Sequence, residues 1–448
     1  MKRTRSGDLG LIHLAWPMFI EELTAGVTGF TDTLFISMIS DEAAASVGML
    51  SPVLWLGYFI LPQFSSAGGS VAAQYLGAGQ RDRAESAWTA NVIISAAFGG
   101  LLAILMLAFS LSIGLWLGMT PSQNEYAGQY LSVIAFNFVI AGLRFSYGQV
   151  LASQTLTRWN MVASVTTNLL NIPLNWLLMR GFWFVPSLGV RGIALATCLS
   201  YLAGLAIVLY MTRVRLGLRL FARGVAARAR GVLLPILRIG LPQALEPFSY
   251  TVQTFVVSIL VIGLGTAAMG ANTYAQRFNF LDMAVSWSLT MAGQILMSHH
   301  LGAGRIEEVR RSYWRIATIS ALFALASYLL IAAFRIPLLS LFTSDPAILG
   351  PASVLLLIAL FMEPIRSINI LGGIALKTVG DGRFSLAIGL VFMWGLIPLI
   401  LLSNALGFGI VGIWVCLLLD ETVRAGINAW RWRSGKWMGK VVIAEGAE

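Results

Sequence analysis

Stretches of about twenty or more apolar residues recur along this chain, and each is long enough to cross a hydrocarbon layer of about 30 Å as a helix. They lie at 9–38, 46–76, 87–117, 127–150, 159–180, 190–212, 239–262, 267–298, 314–334, 349–375, 384–403 and 408–428, twelve in all. Strand-like alternation is absent from them, and lipid offers no partner to unpaired backbone groups, so helices are the expected form. Composition agrees: 57% of the 448 residues are hydrophobic and 11% charged, against roughly 45–50% apolar in soluble domains. The first run is too long for a signal peptide and lacks a convincing cleavage site, so a retained first helix is expected.

The net charge of +10 sits in short segments between apolar runs rather than on one amphipathic surface, which favours membrane topology over nucleic-acid binding. Lys2, Arg3, Arg5, Arg81, Arg83, Arg158, Arg305, Arg310, Arg311, Arg431, Arg433, Lys436 and Lys440 fall on one side, with the arginines between Arg213 and Arg238. Asp41, Glu42, Glu125 and Asp345 fall on the other. The positive-inside rule then places both termini in the cytoplasm, as an even number of spans requires. Cys198 and Cys416 lie inside predicted helices and imply no disulfide framework.

The chain repeats itself. Pro17 and Pro242 are 225 residues apart, as are Glu21 and Glu246, Gly68 and Gly293, Gly148 and Gly373, Leu151 and Leu376, Arg158 and Arg383, and Pro173 and Pro398. The segment Leu76-Gly77-Ala78-Gly79 recurs whole at 301–304, and Gly189 and Gly192 return as Gly409 and Gly412 at an offset of 220. Six spans per copy make the repeat parallel. The expected fold is an all-α integral membrane protein of twelve transmembrane helices in two six-helix lobes, 1–215 and 236–448, with a cytoplasmic linker at 216–235. The Gly-Ala-Gly turns lack the strand–helix setting of a phosphate loop and read as helix stops, so no ATP-driven motor is expected. No convergent nucleophile or metal set suggests an enzyme; His13, His299 and His300 form no such constellation.

An ionised side chain at mid-bilayer costs about 2.5–3.5 kcal/mol or more, so carboxylates inside spans are functional candidates. Asp32 lies deep in the first span with no basic residue at helical neighbour spacing. Such an acid can take a proton, or stay ionised among oxygen ligands around a sodium ion. Glu21 precedes it on the same helical face. Asn168, Asn171 and Asn175 form one polar stripe, which serves either helix-to-helix hydrogen bonding or the ligation of an ion beside Asp32. Glu246, Tyr250 and Gln253 stack similarly in the seventh span, where Pro247 interrupts the helix ladder. Glu363 and Arg366, three apart, read as a mutually neutralising pair, and Asp420 and Glu421 as cavity acids or partners of Arg424.

Several segments, in order, resemble the multidrug and toxic compound extrusion (MATE) transporters over essentially the whole chain. They are Ala15-Trp16-Pro17, Gly29-Phe30-Thr31-Asp32-Thr33, Leu76-Gly77-Ala78-Gly79, the run from Asn168 to Asn175 that contains Pro173, and the run from Leu188 to Thr197. The resemblance implies a bacterial inner-membrane efflux antiporter, monomeric and surrounded by membrane lipids, that exports amphipathic, often cationic compounds from a cavity between lobes. It implies no cofactor beyond a coupling Na+ or H+. Asp32, Asn171 and Thr197 match the family's cation or proton cluster, with Asp32 and Asn171 the ligands a Na+ would use. Asn175 stands where several members carry a second acid. Tyr250 and Arg366 fall where one branch has acids on helices seven and ten, with Glu246 and Glu363 a turn earlier. Glu21, Glu246, Tyr250, Gln253, Asn168 and Glu363 are therefore expected to line the substrate path. The alternative activity is a lipid-linked oligosaccharide or lipid flippase of the same broader superfamily, against which the span count and the lobe acids argue.

Overall fold

The computed structural model describes residues 10–440 apart from 111, 184 and 185; the expected topogenic residues Lys2, Arg3 and Arg5 lie outside the described residues. Its helices are α1 (Leu11–Ser37), α2 (Asp41–Gly77), α3 (Arg81–Phe109), the short α4 (Ile113–Trp116), α5 (Pro121–Ser153), α6 (Thr157–Arg180) and α7 (Gly189–Tyr210), then α8 (Arg223–Ile262), α9 (Thr266–Arg277), α10 (Asn279–Gly302), α11 (Ile306–Ala333), the short α12 (Arg335–Ser340), α13 (Pro346–Thr378), α14 (Gly382–Ala405) and α15 (Gly409–Arg433). No strand occurs among the described residues. Eight of these helices are long and apolar enough to cross a membrane, and α9 with α10, bent by 47°, makes a ninth. The remaining long helices are α1, α6 and α15, which carry Asp32, the asparagine stripe, and Asp420 with Glu421. Together they supply the twelve spans.

Local chemistry sets the helix ends. Ser40 caps α2, its side chain accepting from the Ala43 N–H, with Asp41 and Glu42 in the first turn. Thr120 and Gln123 form a capping box on α5, and Pro121 opens it. The two Gly-Ala-Gly turns do end helices: Gly79 and Gly304 take φ of +75° and +71°, a region that glycine enters without strain.

The chain divides into two compact units, Met1–Gly240 and Leu241–Glu448. The division falls inside α8, which reaches back beyond the apolar run expected at 239–262: only 216–222 lack helix, and from Arg223 the chain is helical to Ile262. Hydropathy hid that extension because the Arg-rich first turns of α8 are not apolar. The expected third span, 87–117, likewise starts earlier, at Arg81, and breaks after Phe109.

The repeat is visible in packing. A methyl group added at Gly68 would lie 2.2 Å from the Asn91 side chain, and one at Gly293 would lie 2.6 Å from Ile316, the pair displaced by 225 residues. Gly148 meets Asn160 as Gly373 meets Ser385, both at 3.3 Å. Small residues thus bring the same helix pairs together in each unit. Asn91 is tied by a 3.0 Å hydrogen bond to the Ser65 carbonyl and cannot easily yield. Gly68→Ala is therefore expected to cost on the order of 1–3 kcal/mol through overpacking. In detergent-purified protein it should lower the thermal unfolding midpoint, while Gly100→Ala, with open space around it, should not.

Candidate functional site

In unit 1 a polar seam climbs α1 and α6 in the same direction. Thr24 lies 3.4 Å from Ser164, and Thr28 donates to the Asn168 side-chain oxygen. One turn further, Asp32 meets Asn171 and Asn175 of α6 and Thr197 of α7. Its Oδ1 accepts from Asn171 Nδ2 at 3.1 Å and Asn175 Nδ2 at 2.8 Å, and its Oδ2 from Thr197 Oγ1 at 2.7 Å. Asn175 Nδ2 also donates to Asn171 Oδ1 at 3.0 Å, and Asn171 Nδ2 reaches Thr197 Oγ1 at 3.3 Å. All four residues are buried, Asp32 at 6% exposure and both asparagines at 0%. Three neutral donors hold the carboxylate, and Asn175 Oδ1 is buried without a hydrogen-bond partner.

Every acceptor atom these groups can turn inward is oxygen: the Asp32 carboxylate, two amide carbonyls and one hydroxyl. That set suits a hard cation or a proton. No group of three or more His, Cys, Asp or Glu able to hold a metal occurs among the described residues. Asn168 belongs to the seam rather than the cluster, since its amide donates to the Ser164 carbonyl at 2.9 Å. Thr24 and Thr28 escaped the sequence reading, although their four-residue spacing below Asp32 marks the same face.

Glu21 has its own partner. Arg144 of α5, itself buried, lies 3.8 Å from it, with its guanidinium 5.3 Å from the Tyr201 ring centre. In unit 2, Glu246 pairs with Lys377 at 2.6 Å and accepts from Ser385 at 3.3 Å. Glu363 and Arg366 do pair, at 2.5 Å, within a larger buried network. Arg366 also reaches Glu421 at 3.2 Å, Arg424 bridges Glu421 and Asp420, and Asn369 donates to Glu421 at 2.7 Å. Gln253 is buried and Tyr250 is 38% exposed. Lys377, Asn369 and Arg144 lie far in sequence from the acids they serve, so no spacing could have announced them.

The repeat offsets sharpen the contrast. Residues 225 beyond Asp32, Asn171 and Asn175 are Val257, Leu396 and Ile400, and 220 beyond Thr197 is Leu417. The first three are buried in the apolar core of unit 2 and Leu417 packs against it. Conversely, Glu363, Arg366, Glu421 and Arg424 correspond to Phe138, Ala141, Tyr201 and Gly204, of which Phe138 and Ala141 are core and Tyr201 packs on it. Apart from the matched pair Glu21 and Glu246, one scaffold therefore carries its buried acids at different places in its two copies.

The MatE family model matches residues 17–177 and again 242–402, reproducing the 225-residue displacement. The chain belongs to the MATE family. It is 29% identical over 450 residues to the uncharacterized transporter YisQ of Bacillus subtilis, covering 98% of this chain and 97% of that one. It is 26% identical over 445 residues to a probable multidrug resistance protein NorM of Thermotoga maritima, covering 97% and 94%. Solved structures share the fold. A MATE crystal structure in the bent conformation aligns with a TM-score of 0.86 at 20% identity, covering 97% of this chain and 98% of the other. An outward-facing multidrug resistance MATE transporter aligns at 0.85 and 22%, covering 97% and 100%. This MATE protein is thus a membrane transporter of the multidrug efflux family.

The unit 2 network supplies a stability prediction. Arg366→Met would leave Glu363 and Glu421 buried with too little positive charge, a loss on the order of 3–5 kcal/mol. A large fall in the unfolding midpoint is expected, with little change for Tyr250→Phe.

Proposed function

We propose that this MATE protein is a secondary antiporter of the bacterial inner membrane that expels amphipathic, often cationic compounds in exchange for Na+ or H+, and that Asp32 is where the coupling ion binds. The observation that carries this reading is the replacement of the Asp32 cluster by Val257, Leu396, Ile400 and Leu417 in the other copy. The same helix packing works without a buried acid, so the acid is retained for something other than folding. An isolated carboxylate in a low-dielectric setting responds strongly to loss or gain of a single positive charge.

The amides of Asn171 and Asn175 serve both states of the site. Facing the carboxylate with Nδ2 they stabilise the ionised acid; rotated about χ2 they present Oδ1 to an arriving Na+. With a proton instead, Asp32 becomes a donor and Asn175 Oδ1, otherwise without a partner, can accept from it. Either change alters the seam between α1 and α6, which is the lever on alternating access. One charge crossing 100 mV supplies about 2.3 kcal/mol to move it. Glu21, Glu246, Tyr250, Gln253, Asn168 and Glu363 are assigned to the substrate path as polar lining, the charges of Glu21, Glu246 and Glu363 being balanced by Arg144, Lys377 and Arg366. Both termini are assigned to the cytoplasm and the working unit to a monomer, on the arginine distribution and the family likeness respectively.

Proteoliposomes loaded with ethidium, a lipophilic cation, test this under separately imposed sodium and pH gradients. One gradient alone should drive efflux, and Asp32→Asn, which keeps the shape and removes the ionisable acid, should reduce it at least about tenfold, the ratio equivalent to 1.4 kcal/mol. Undiminished gradient-driven efflux in Asp32→Asn would take the residue out of the mechanism. Movement of labelled lipid-linked sugar without ethidium transport would favour the flippase instead.

A further inference from the structure

Unit 1 contains an opening that the transport reading does not use. A cavity of about 420 Å³ lies among α3, α5 and α7 and the segment that follows α7, walled by Val92, Ala96, Leu143 and Leu205, with Tyr147 and Arg213 as its polar members. Its volume is that of a small-molecule site. Along α7 the lining residues Leu205, Leu209 and Arg213 recur every four residues, so the slot runs about 12 Å along the helix axis and passes from apolar to cationic. Arg213 stands in the π-helical turn Met211–Arg215, where α7 gives way to the arginine-rich connection, and lies within hydrogen-bonding reach of the Tyr147 hydroxyl. The connection is strapped back over this end: Thr89 donates to the Leu220 carbonyl and Leu218 N–H to the Thr212 carbonyl, and Phe221 borders the cavity.

An apolar slot with one cationic end selects an amphipathic anion. A cationic drug entering it would meet Arg213 and the exposed Arg215 and Arg219 nearby, so the slot does not suit the cargo assigned above. Unit 2 carries aromatic packing beside the corresponding arginine. Arg433 occupies the position of Arg213, 220 residues on, and beside it Trp432 stacks on Tyr313 at 4.5 Å and on Trp437 at 4.6 Å. We infer that the unit 1 slot holds an acyl chain of an anionic membrane phospholipid, with the lipid phosphate on Arg213 and the Tyr147 hydroxyl. Its apolar wall then gains the contacts that an empty space forfeits, and the headgroup lies where an interfacial arginine meets the membrane surface.

The test uses the full-length purified protein and two lipids with identical tails, dioleoylphosphatidylglycerol and dioleoylphosphatidylcholine, with binding read by native mass spectrometry and by thermal shift. The anionic lipid should be retained preferentially. Arg213→Gln should weaken its binding about tenfold and bring it close to the neutral lipid, and Ala96→Trp, which fills the slot, should remove the retained lipid of either kind. Inorganic phosphate at equal concentration should produce no shift. Equal retention of the two lipids by the unmodified protein, an unchanged preference in Arg213→Gln, or a phosphate shift equal to that of the lipid would each overturn the inference. Should Ala96→Trp fail to fold, Arg213→Gln, on an exposed side chain, decides the question alone.

Discussion

A carboxylate withdrawn from water must be compensated, and the way Asp32 is compensated shapes the reading of everything around it. Four acids of unit 2 are held by cations: Glu246 by Lys377, Glu363 and Glu421 by Arg366, Asp420 by Arg424. Asp32 is held by two amides and a hydroxyl. Hydrogen bonds from neutral groups steady the anion without cancelling its charge, so the charge remains available to a small cation. A permanent guanidinium in the same place would have cancelled it and left a structural pair. Glu21, facing Arg144, shows what that alternative looks like within the same unit.

Duplication explains how such a site can exist in a stable fold. Each unit repeats the same close approaches, Gly68 on Asn91 and Gly293 on Ile316, Gly148 on Asn160 and Gly373 on Ser385. With the packing fixed by small residues, positions between the helices are free to differ. Where unit 1 carries Asp32, Asn171, Asn175 and Thr197, unit 2 carries core aliphatics; where unit 2 carries its ion network, unit 1 carries Phe138, Ala141, Tyr201 and Gly204. The repeat supplies the frame and the departures from it supply the chemistry.

Much of this is legible from the residues alone. Lipid forces each long apolar run into a helix, so the spans and their order can be read from hydropathy, and the 225-residue offset discloses the two halves. The Asp32 cluster could be assembled because Asn171 and Asn175 share a helical face and because the family likeness ties them to Asp32 and Thr197. Two things resisted. The start of α8 is amphipathic rather than apolar, so hydropathy ended the span near 239 when the helix reaches back to Arg223. Long-range partners, such as Lys377 for Glu246 and Arg144 for Glu21, leave no periodic trace and emerge only when helices are packed. Asn168 illustrates the limit of spacing arguments: it belongs to the same stripe as Asn171, yet bonds to Thr28 and Ser164 instead of the acid.

The central claim is that the fold does without the buried acid and its partners while ion coupling does not. It can be put to the protein by giving unit 1 the residues of unit 2, in the combined variant Asp32→Val, Asn171→Leu, Asn175→Ile, Thr197→Leu. Replacing every member of a buried polar cluster by apolar groups is near neutral or stabilising, so the unfolding midpoint of the purified variant should equal or exceed that of the parent while ion-driven efflux disappears. A variant that unfolds like a protein with a broken core, or one that still transports under an ion gradient, would contradict the account.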